Sequence, residues 1–165
     1  MSLARPKFVK KANKDNPVCK KGESYWYWSS FRGPKQFSKE RPKESQLESN
    51  ETTARAYSAQ EGLENEKPTS VADLEGIRDN LVSELEETRD EAQEKYDNMP
   101  EQFQEGDTGQ NIQSFIDAMD EWISNLKNVD LEETDEGETE EEKDEAKDQQ
   151  LDDLFQELID AKSDF

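Results

Sequence analysis

Two regularly spaced rows of apolar residues constrain the fold of this chain more than any other feature of its sequence. The first row, between Val71 and Met99, consists of Leu74, Ile77, Leu81, Leu85, Ala92, Tyr96 and Met99. The second row, beyond Pro100, consists of Ile112, Phe115, Ile116, Met119, Trp122, Ile123 and Leu126. Intervals of three or four residues, or sums of these, recur in each row and place it on one face of a helix. The spacing therefore predicts an antiparallel helical hairpin over 71–128, with helices at about 71–99 and 108–128 and Ser70 as the N-cap of the first.

The composition argues against a large, compact enzyme core. Of the 165 residues, 30% are hydrophobic and 38% are charged, and the formal net charge is −21. The chain has no histidine, the usual general base at neutral pH and a common zinc ligand, and its single cysteine, Cys19, cannot form an internal disulfide. We expect a non-enzymatic protein with no cofactor and no metal site.

Short acidic motifs do not change this expectation. Adjacent carboxylates such as Glu86-Glu87 arise by chance among 42 acidic residues, and a solvated helix face explains them. A calcium loop starting at Glu132 would have Gly137 at its sixth position but Lys143 at the twelfth, where a bidentate Glu is needed. We also find no phosphate-binding loop and no nucleophile with its base.

The charge changes sign along the chain. Residues 1–45 contain 12 Lys and Arg against 4 Asp and Glu, whereas the remaining 120 residues contain 9 against 38. Such asymmetry indicates either that the two parts attract each other or that each addresses a different partner.

Within the basic part, residues 1–22 are typical of an exposed arm, and an aromatic β-hairpin follows. Its strands are predicted at 24–31 and 36–39, with turn residues at 32–35. Alternation places Tyr25 and Tyr27 on one face and Trp26 and Trp28 on the other. The candidate partner-binding residues are Tyr25, Trp26, Tyr27, Trp28, Phe31, Arg32, Lys35 and Phe37. They could anchor a protein, stack on nucleic-acid bases, or form a small aromatic core. Of the last two interpretations, we favour the aromatic core over nucleic-acid binding.

The acidic part supplies a second candidate surface, formed by Glu84, Glu87, Glu91, Glu94, Asp117, Asp120 and Glu121. Carboxylates held on rigid helices can imitate DNA phosphates, although ordinary solubility explains them slightly better. Residues 130–149 read as an acidic, partly disordered linker. Residues 150–165 predict an amphipathic helix that docks on the hairpin or on another molecule through Leu151, Leu154, Phe155 and Leu158.

The predicted fold class is mainly α with a small β-hairpin. The organisation is a basic arm and aromatic hairpin (1–45), a helical region (46–129), the acidic linker (130–149) and the terminal helix (150–165). A helix-compatible stretch from about Glu44 to Asn65 precedes the helical hairpin.

Several short stretches resemble small accessory proteins of tailed bacteriophages. The resemblance rests on Phe8-Val9-Lys10-Lys11-Ala12, Lys20-Lys21-Gly22-Glu23-Ser24-Tyr25-Trp26, Phe37-Ser38-Lys39, Pro42-Lys43-Glu44-Ser45-Gln46-Leu47, Tyr96-Asp97-Asn98-Met99-Pro100-Glu101 and Gln104-Glu105-Gly106-Asp107-Thr108-Gly109-Gln110. Some relatives carry zinc-ribbon-type cysteine pairs in the hairpin module, but only Cys19 stands here, so the resemblance implies no metal site. It implies a viral source and a non-enzymatic role.

We therefore expect a phage-encoded interaction protein that binds, and inhibits or redirects, a host protein with a basic surface in the cytoplasm of the infected bacterium. The alternatives are an acidic DNA-mimic inhibitor, a nucleic-acid-binding protein that uses the aromatic module, and a virion or scaffold component. No membrane contact is expected, and self-association stays open.

Overall fold

The computed structural model describes residues 3–29, 33–132, 140–163 and 165. The chain divides into two compact units, residues 1–58 and residues 59–165, each with its own internal contacts. The mainly helical fold with a small antiparallel sheet agrees with the fold class predicted from the sequence.

The first unit contains a three-stranded antiparallel sheet of β1 (Lys7–Val9), β2 (Tyr25–Trp28) and β3 (Gln36–Ser38), with β2 in the centre. Phe8 pairs with Trp26 across β1 and β2, and Tyr27 pairs with Phe37 across β2 and β3. The predicted hairpin is therefore present. The predicted arm over residues 1–22 is exposed at Lys7 and Phe8, but residues 7–9 also form β1, because the aromatic strand β2 offers a second edge with which they pair.

Backbone hydrogen bonds also fold the segment between β1 and β2. Ala12 N donates to the carbonyl of Glu23 at 2.8 Å, and Gly22 N donates to the carbonyl of Ala12 at 2.9 Å. Gly22 has a φ of 98°, a backbone conformation that residues other than glycine rarely adopt. These bonds close the segment into a loop whose Ala12 and Cys19 are buried.

The helix-compatible stretch from about Glu44 to Asn65 forms two helices, α1 (Glu44–Leu47) and α2 (Glu51–Leu63). The chain leaves the helical conformation at Glu48, where ψ is 138°. The side-chain oxygen of Asn50 then accepts a hydrogen bond from Thr52 N at 3.1 Å, which caps the start of α2.

The second unit contains the helical hairpin of α3 (Val71–Asp97) and α5 (Asp107–Asn128), joined through the short α4 (Glu101–Gln104). The Ser70 hydroxyl accepts from Asp73 N at 3.1 Å, as the sequence predicts. The first helix ends two residues before the predicted position, and α5 begins one residue before the predicted start at 108, with Gly106 as its N-cap. The fully buried side chains at the centre of the packing are Leu74, Leu85, Thr88, Met119, Trp122, Leu126 and Leu158.

The last helix, α6 (Glu140–Asp160), begins ten residues before the predicted start at 150 and ends at Asp160 rather than 165. The low apolar content of residues 140–149 favours a solvated linker, yet Glu, Lys, Ala and Gln all have high helix propensity. Propensity therefore extends the helix beyond its apolar stripe. Residues 133–139 of the predicted linker, including the rejected calcium loop's Gly137, lie outside the described residues.

Candidate interaction surface

The central strand β2 presents aromatic rings on both faces of the sheet. On one face, the rings of Phe8 and Trp26 lie with centroids 5.0 Å apart and planes inclined at 44°. Phe8 is 49% exposed and Trp26 is half-buried. We call these two residues the Phe8–Trp26 pair. The pair therefore keeps apolar ring surface in contact with solvent.

Trp28 lies on the same face of β2 but is only 7% exposed. Its indole Nε1 donates a hydrogen bond of 3.0 Å to the carbonyl oxygen of Gln46 in α1. Burial and this bond make Trp28 a core residue of the first unit. This corrects the prediction of Trp28 as a partner-binding residue, whereas Trp26 on the same face is half-buried and keeps an accessible ring.

The opposite face of the sheet carries Tyr25, Tyr27 and Phe37, which we call the tyrosine face. The centroid of the Tyr25 ring lies 6.2 Å from that of Tyr27 and 6.0 Å from that of Phe37. All three rings are half-buried and none is fully buried. Lys35 Nζ lies 5.1 Å from the centroid of the Tyr27 ring, close enough for a cation–π interaction. Phe31 and Arg32, also predicted as partner-binding, lie outside the described residues.

The unit that contains this sheet has an excess of positive charge. The first unit has 13 Lys and Arg against 6 Asp and Glu. Lys39 Nζ lies 3.6 Å from Glu23 Oε2, so part of the charge is paired on the surface. Lys7, which pairs with Tyr27 in the register of β1 and β2, and Lys35 are both exposed.

The loop before β2 contains a compact turn that sequence analysis missed. The Asn16 side-chain oxygen accepts from both Val18 N and Cys19 N at 3.0 Å, and its amide donates to Cys19 Sγ at 3.1 Å. Asn-Pro at the start of a turn was the available signal. The turn buries the single cysteine and positions the entry into β2.

The predicted acidic surface is distributed over α3 and α5. Glu91 is half-buried, and the other six members are exposed: Glu84, Glu87, Glu94, Asp117, Asp120 and Glu121. One of these six, Asp120, accepts a hydrogen bond of 2.8 Å from Arg89 Nη1. Asp120 therefore joins α5 to α3 and is also a structural residue.

A second ion pair joins the same helices. Lys127 Nζ lies 2.7 Å from Glu86 Oε1. The hydrogen bond from the Lys127 ammonium, followed by its positive charge, lowers the pKa of Glu86 below its ordinary value. Similarly, hydrogen bonds from the Thr69 hydroxyl and backbone N–H lower the pKa of Asp73 at the start of α3. These carboxylates stabilise helix packing and a helix terminus.

The terminal helix docks on the hairpin of its own unit. Leu158 is fully buried, and Leu151, Leu154 and Phe155 are half-buried. Beyond α6, the ring of Phe165 stacks on Trp122 at 6.0 Å and meets the edge of Phe115 at 5.8 Å. The predicted apolar stripe therefore contacts the chain's own helices.

The second unit also contains an open groove of about 490 Å³ between the start of α3 and α6, with Ser70, Val71, Lys147 and Asp148 among its lining residues. Among the described residues that line it, Asp148 is the single carboxylate. Within the described ranges, no three His, Cys, Asp or Glu side chains gather in a way that could hold a metal ion.

In the part of the chain that the structure describes, no helix has the length and apolar character needed to cross a membrane. No protein-family model, curated protein or solved structure is significantly similar to the chain. Functional inference therefore depends on the residues and their geometry.

Proposed function

We propose that this chain is a non-enzymatic interaction protein that binds a partner protein through the Phe8–Trp26 pair. The observation that carries the proposal is the 49% exposure of Phe8 on a folded sheet, where its ring packs 5.0 Å from that of Trp26. Buried aromatic anchors dominate the binding energy of many protein interfaces. A partner with a matching apolar pocket would remove both rings from water.

The charge of the second unit suggests a further property of the partner. Its 36 Asp and Glu against 8 Lys and Arg would steer the chain towards a basic surface. A tailed-phage source, and a host protein that is inhibited or redirected in the bacterial cytoplasm, are parts of this proposal that come from the resemblance described above.

Affinity purification from infected bacterial cells tests the proposal, with the wild-type chain and the Phe8→Ala variant as baits. Phe103→Ala is the matched control, because Phe103 is a similarly exposed phenylalanine (53%) in the second unit. We expect one partner to be captured directly by the wild type and by Phe103→Ala. If the Phe8 ring is a hot spot, its removal in Phe8→Ala should cost about 2 kcal/mol of binding free energy, which weakens binding about 30-fold.

Folding of each bait is checked by circular dichroism, since Phe8 pairs with Trp26 in the sheet. Equal capture by wild type and a folded Phe8→Ala variant would overturn the proposal. So would capture that depends on Phe103 instead.

An inhibitor that resembles DNA is the second candidate, favoured by the exposed carboxylates on α3 and α5. The cross-helix pairs of Arg89 with Asp120 and of Lys127 with Glu86 hold these two helices together. Carboxylates on such a rigid support can occupy a cationic DNA-binding cleft. This candidate requires the captured partner to bind DNA and the chain to compete with DNA for it; simultaneous binding of both would exclude it.

A further inference from the structure

We propose that the tyrosine face binds single-stranded nucleic acid by stacking bases on Tyr25, Tyr27 and Phe37. This site lies on the side of the sheet opposite the Phe8–Trp26 pair, because neighbouring residues of β2 point to opposite faces. It is therefore a separate site from the protein-binding anchor, and the two proposals can fail independently.

Ring geometry is the first argument. The ring centroid of Tyr25 lies 6.2 Å from that of Tyr27 and 6.0 Å from that of Phe37. The three rings therefore form one continuous patch across β2 and β3. Sheets that bind single strands use such neighbouring aromatics to stack two or three bases. Every base has a π-face, so a patch of this kind accepts different sequences.

Burial is the second argument. If these rings formed a small core, at least one would be withdrawn from solvent, as Trp28 is on the other face at 7% exposure. Tyr25, Tyr27 and Phe37 are all half-buried instead. The core of the first unit is therefore built by Trp28 and its neighbours, and the tyrosine face keeps accessible ring surface.

Charge complementarity is the third argument and identifies the ligand. Lys35 Nζ lies 5.1 Å from the Tyr27 ring centroid, and exposed Lys7 is the cross-strand partner of Tyr27. A strand whose bases stack on the rings would bring its phosphates within reach of both ammonium groups. A duplex hides its base faces, so the site favours single strands.

The strong negative charge of the second unit limits the affinity that the whole chain can reach. Residues 59–165 carry a net charge of −28, which opposes the approach of any polyanion. Stacking, which does not depend on net charge, must therefore supply most of the binding. We expect weaker salt dependence than a purely phosphate-binding protein would show.

Fluorescence anisotropy with the full chain and a labelled 12-nucleotide oligothymidine tests the proposal. We expect saturable binding by the wild type and at least a 5-fold loss in Tyr27→Ala and in Phe37→Ala. Phe8→Ala, on the other face, is the matched control and should bind within 2-fold of the wild type.

Conservative variants separate stacking from folding. Tyr27→Phe and Tyr27→Trp keep a ring at the centre of the sheet and should keep the affinity, whereas Lys35→Gln should reduce the slope of binding against salt. A DNA duplex of the same length should bind at least 10-fold more weakly than the single strand.

Three results would overturn the proposal: no saturable binding by the wild type at low salt, equal loss in Phe8→Ala and Tyr27→Ala when both are folded, or equal affinity for duplex and single strand. Displacement of the oligonucleotide by a poly-glutamate peptide with no effect of Tyr27→Ala would assign the face to acidic peptides and also overturn it. Each of these results leaves the protein-binding proposal standing.

Discussion

Gly109 allows the helical hairpin to close at its turn. It is buried at the third position of α5, and a Cβ added there would overlap the backbone carbonyl group of Gln104 in α4. The Gln104 amide in turn donates to the carbonyl of Tyr96, in the last turn of α3, at 3.0 Å, and to that of Met99, just beyond the helix, at 2.9 Å. These contacts fix α4 against the end of α3 and the start of α5.

Gly109→Ala is expected to destabilise the second unit. The added methyl group must push α4 away from α5, and overpacking of this kind costs about 1–3 kcal/mol. The control is Gly76→Ala in α3, where no atom lies within 4 Å of the added Cβ and alanine should stabilise the helix by roughly 0.5–1 kcal/mol. Urea denaturation followed by circular dichroism measures both changes. An equal or greater stability of Gly109→Ala would contradict the close approach.

Single aromatic residues show how far a sequence can identify a site. Alternation correctly places Trp26 and Trp28 on one face of β2, because a strand has a period of two. It cannot tell which ring is buried, since that depends on where α1 supplies the Gln46 carbonyl to Trp28. The exposed Phe8 was missed because a three-residue strand is too short to show alternation. The sequence therefore predicts the type and the strand face of the site residues, but it does not predict which of them are buried.

At the scale of helices, two ion pairs join α3 to α5. Lys127 pairs with Glu86 at 2.7 Å and Arg89 pairs with Asp120 at 2.8 Å. The Lys127 ammonium lowers the pKa of Glu86 from its ordinary value of 4.5. A lowered folded-state pKa means that the ionised carboxylate stabilises the fold above pH 4.5, and that this contribution is lost as the pH falls through the folded-state pKa.

The variant Glu86→Gln should accordingly be less stable than the wild type at pH 7. The difference between the two proteins should shrink as the pH falls below 4.5, because the wild-type carboxyl group becomes protonated. Urea midpoints across this pH range measure the difference, with Glu84→Gln as the control for loss of an exposed carboxylate on the same helix. A difference that does not change with pH would show that the pair contributes nothing.

Docking of α6 depends on its apolar stripe. Leu158 is fully buried, and Asn125 Nδ2 donates to the carbonyl of Ala161 at 3.1 Å just beyond the helix. We expect Leu158→Ala to cost about 2–5 kcal/mol and to increase amide hydrogen exchange throughout α6 more than in α3 or α5. The exposed Gln156→Ala is the control. Unchanged exchange of α6 in Leu158→Ala would contradict docking through this residue.

The elements differ in how well the sequence predicts them. The helical hairpin follows from long apolar rows, which is the strongest pattern available to sequence reasoning. The start of α6 cannot be predicted in this way, because residues 140–149 have helix propensity but no apolar row. Strand β1 is recognised only when β2 is available as its partner, since its pairing is a tertiary contact.

At the scale of the whole molecule, charge and fold are divided together. The basic unit of residues 1–58 holds the sheet with its two aromatic faces, and the acidic unit of residues 59–165 holds the helical hairpin. The charge change was evident from the sequence at about residue 45, although contacts place the division at Ser58. The two units thus offer partners different chemistry, and the central claim is that the accessible rings of the sheet make the contacts.

Hydroxyl-radical footprinting of the wild-type chain, alone and with its captured partner protein, tests this claim most directly. Free protein should be oxidised readily at Phe8, which is 49% exposed, and slowly at Trp28, which is 7% exposed. Partner binding should protect Phe8 and Trp26. Oxidation of Phe8 that is as fast in the complex as in the free chain, with protection confined to the helices of the second unit, would contradict the account.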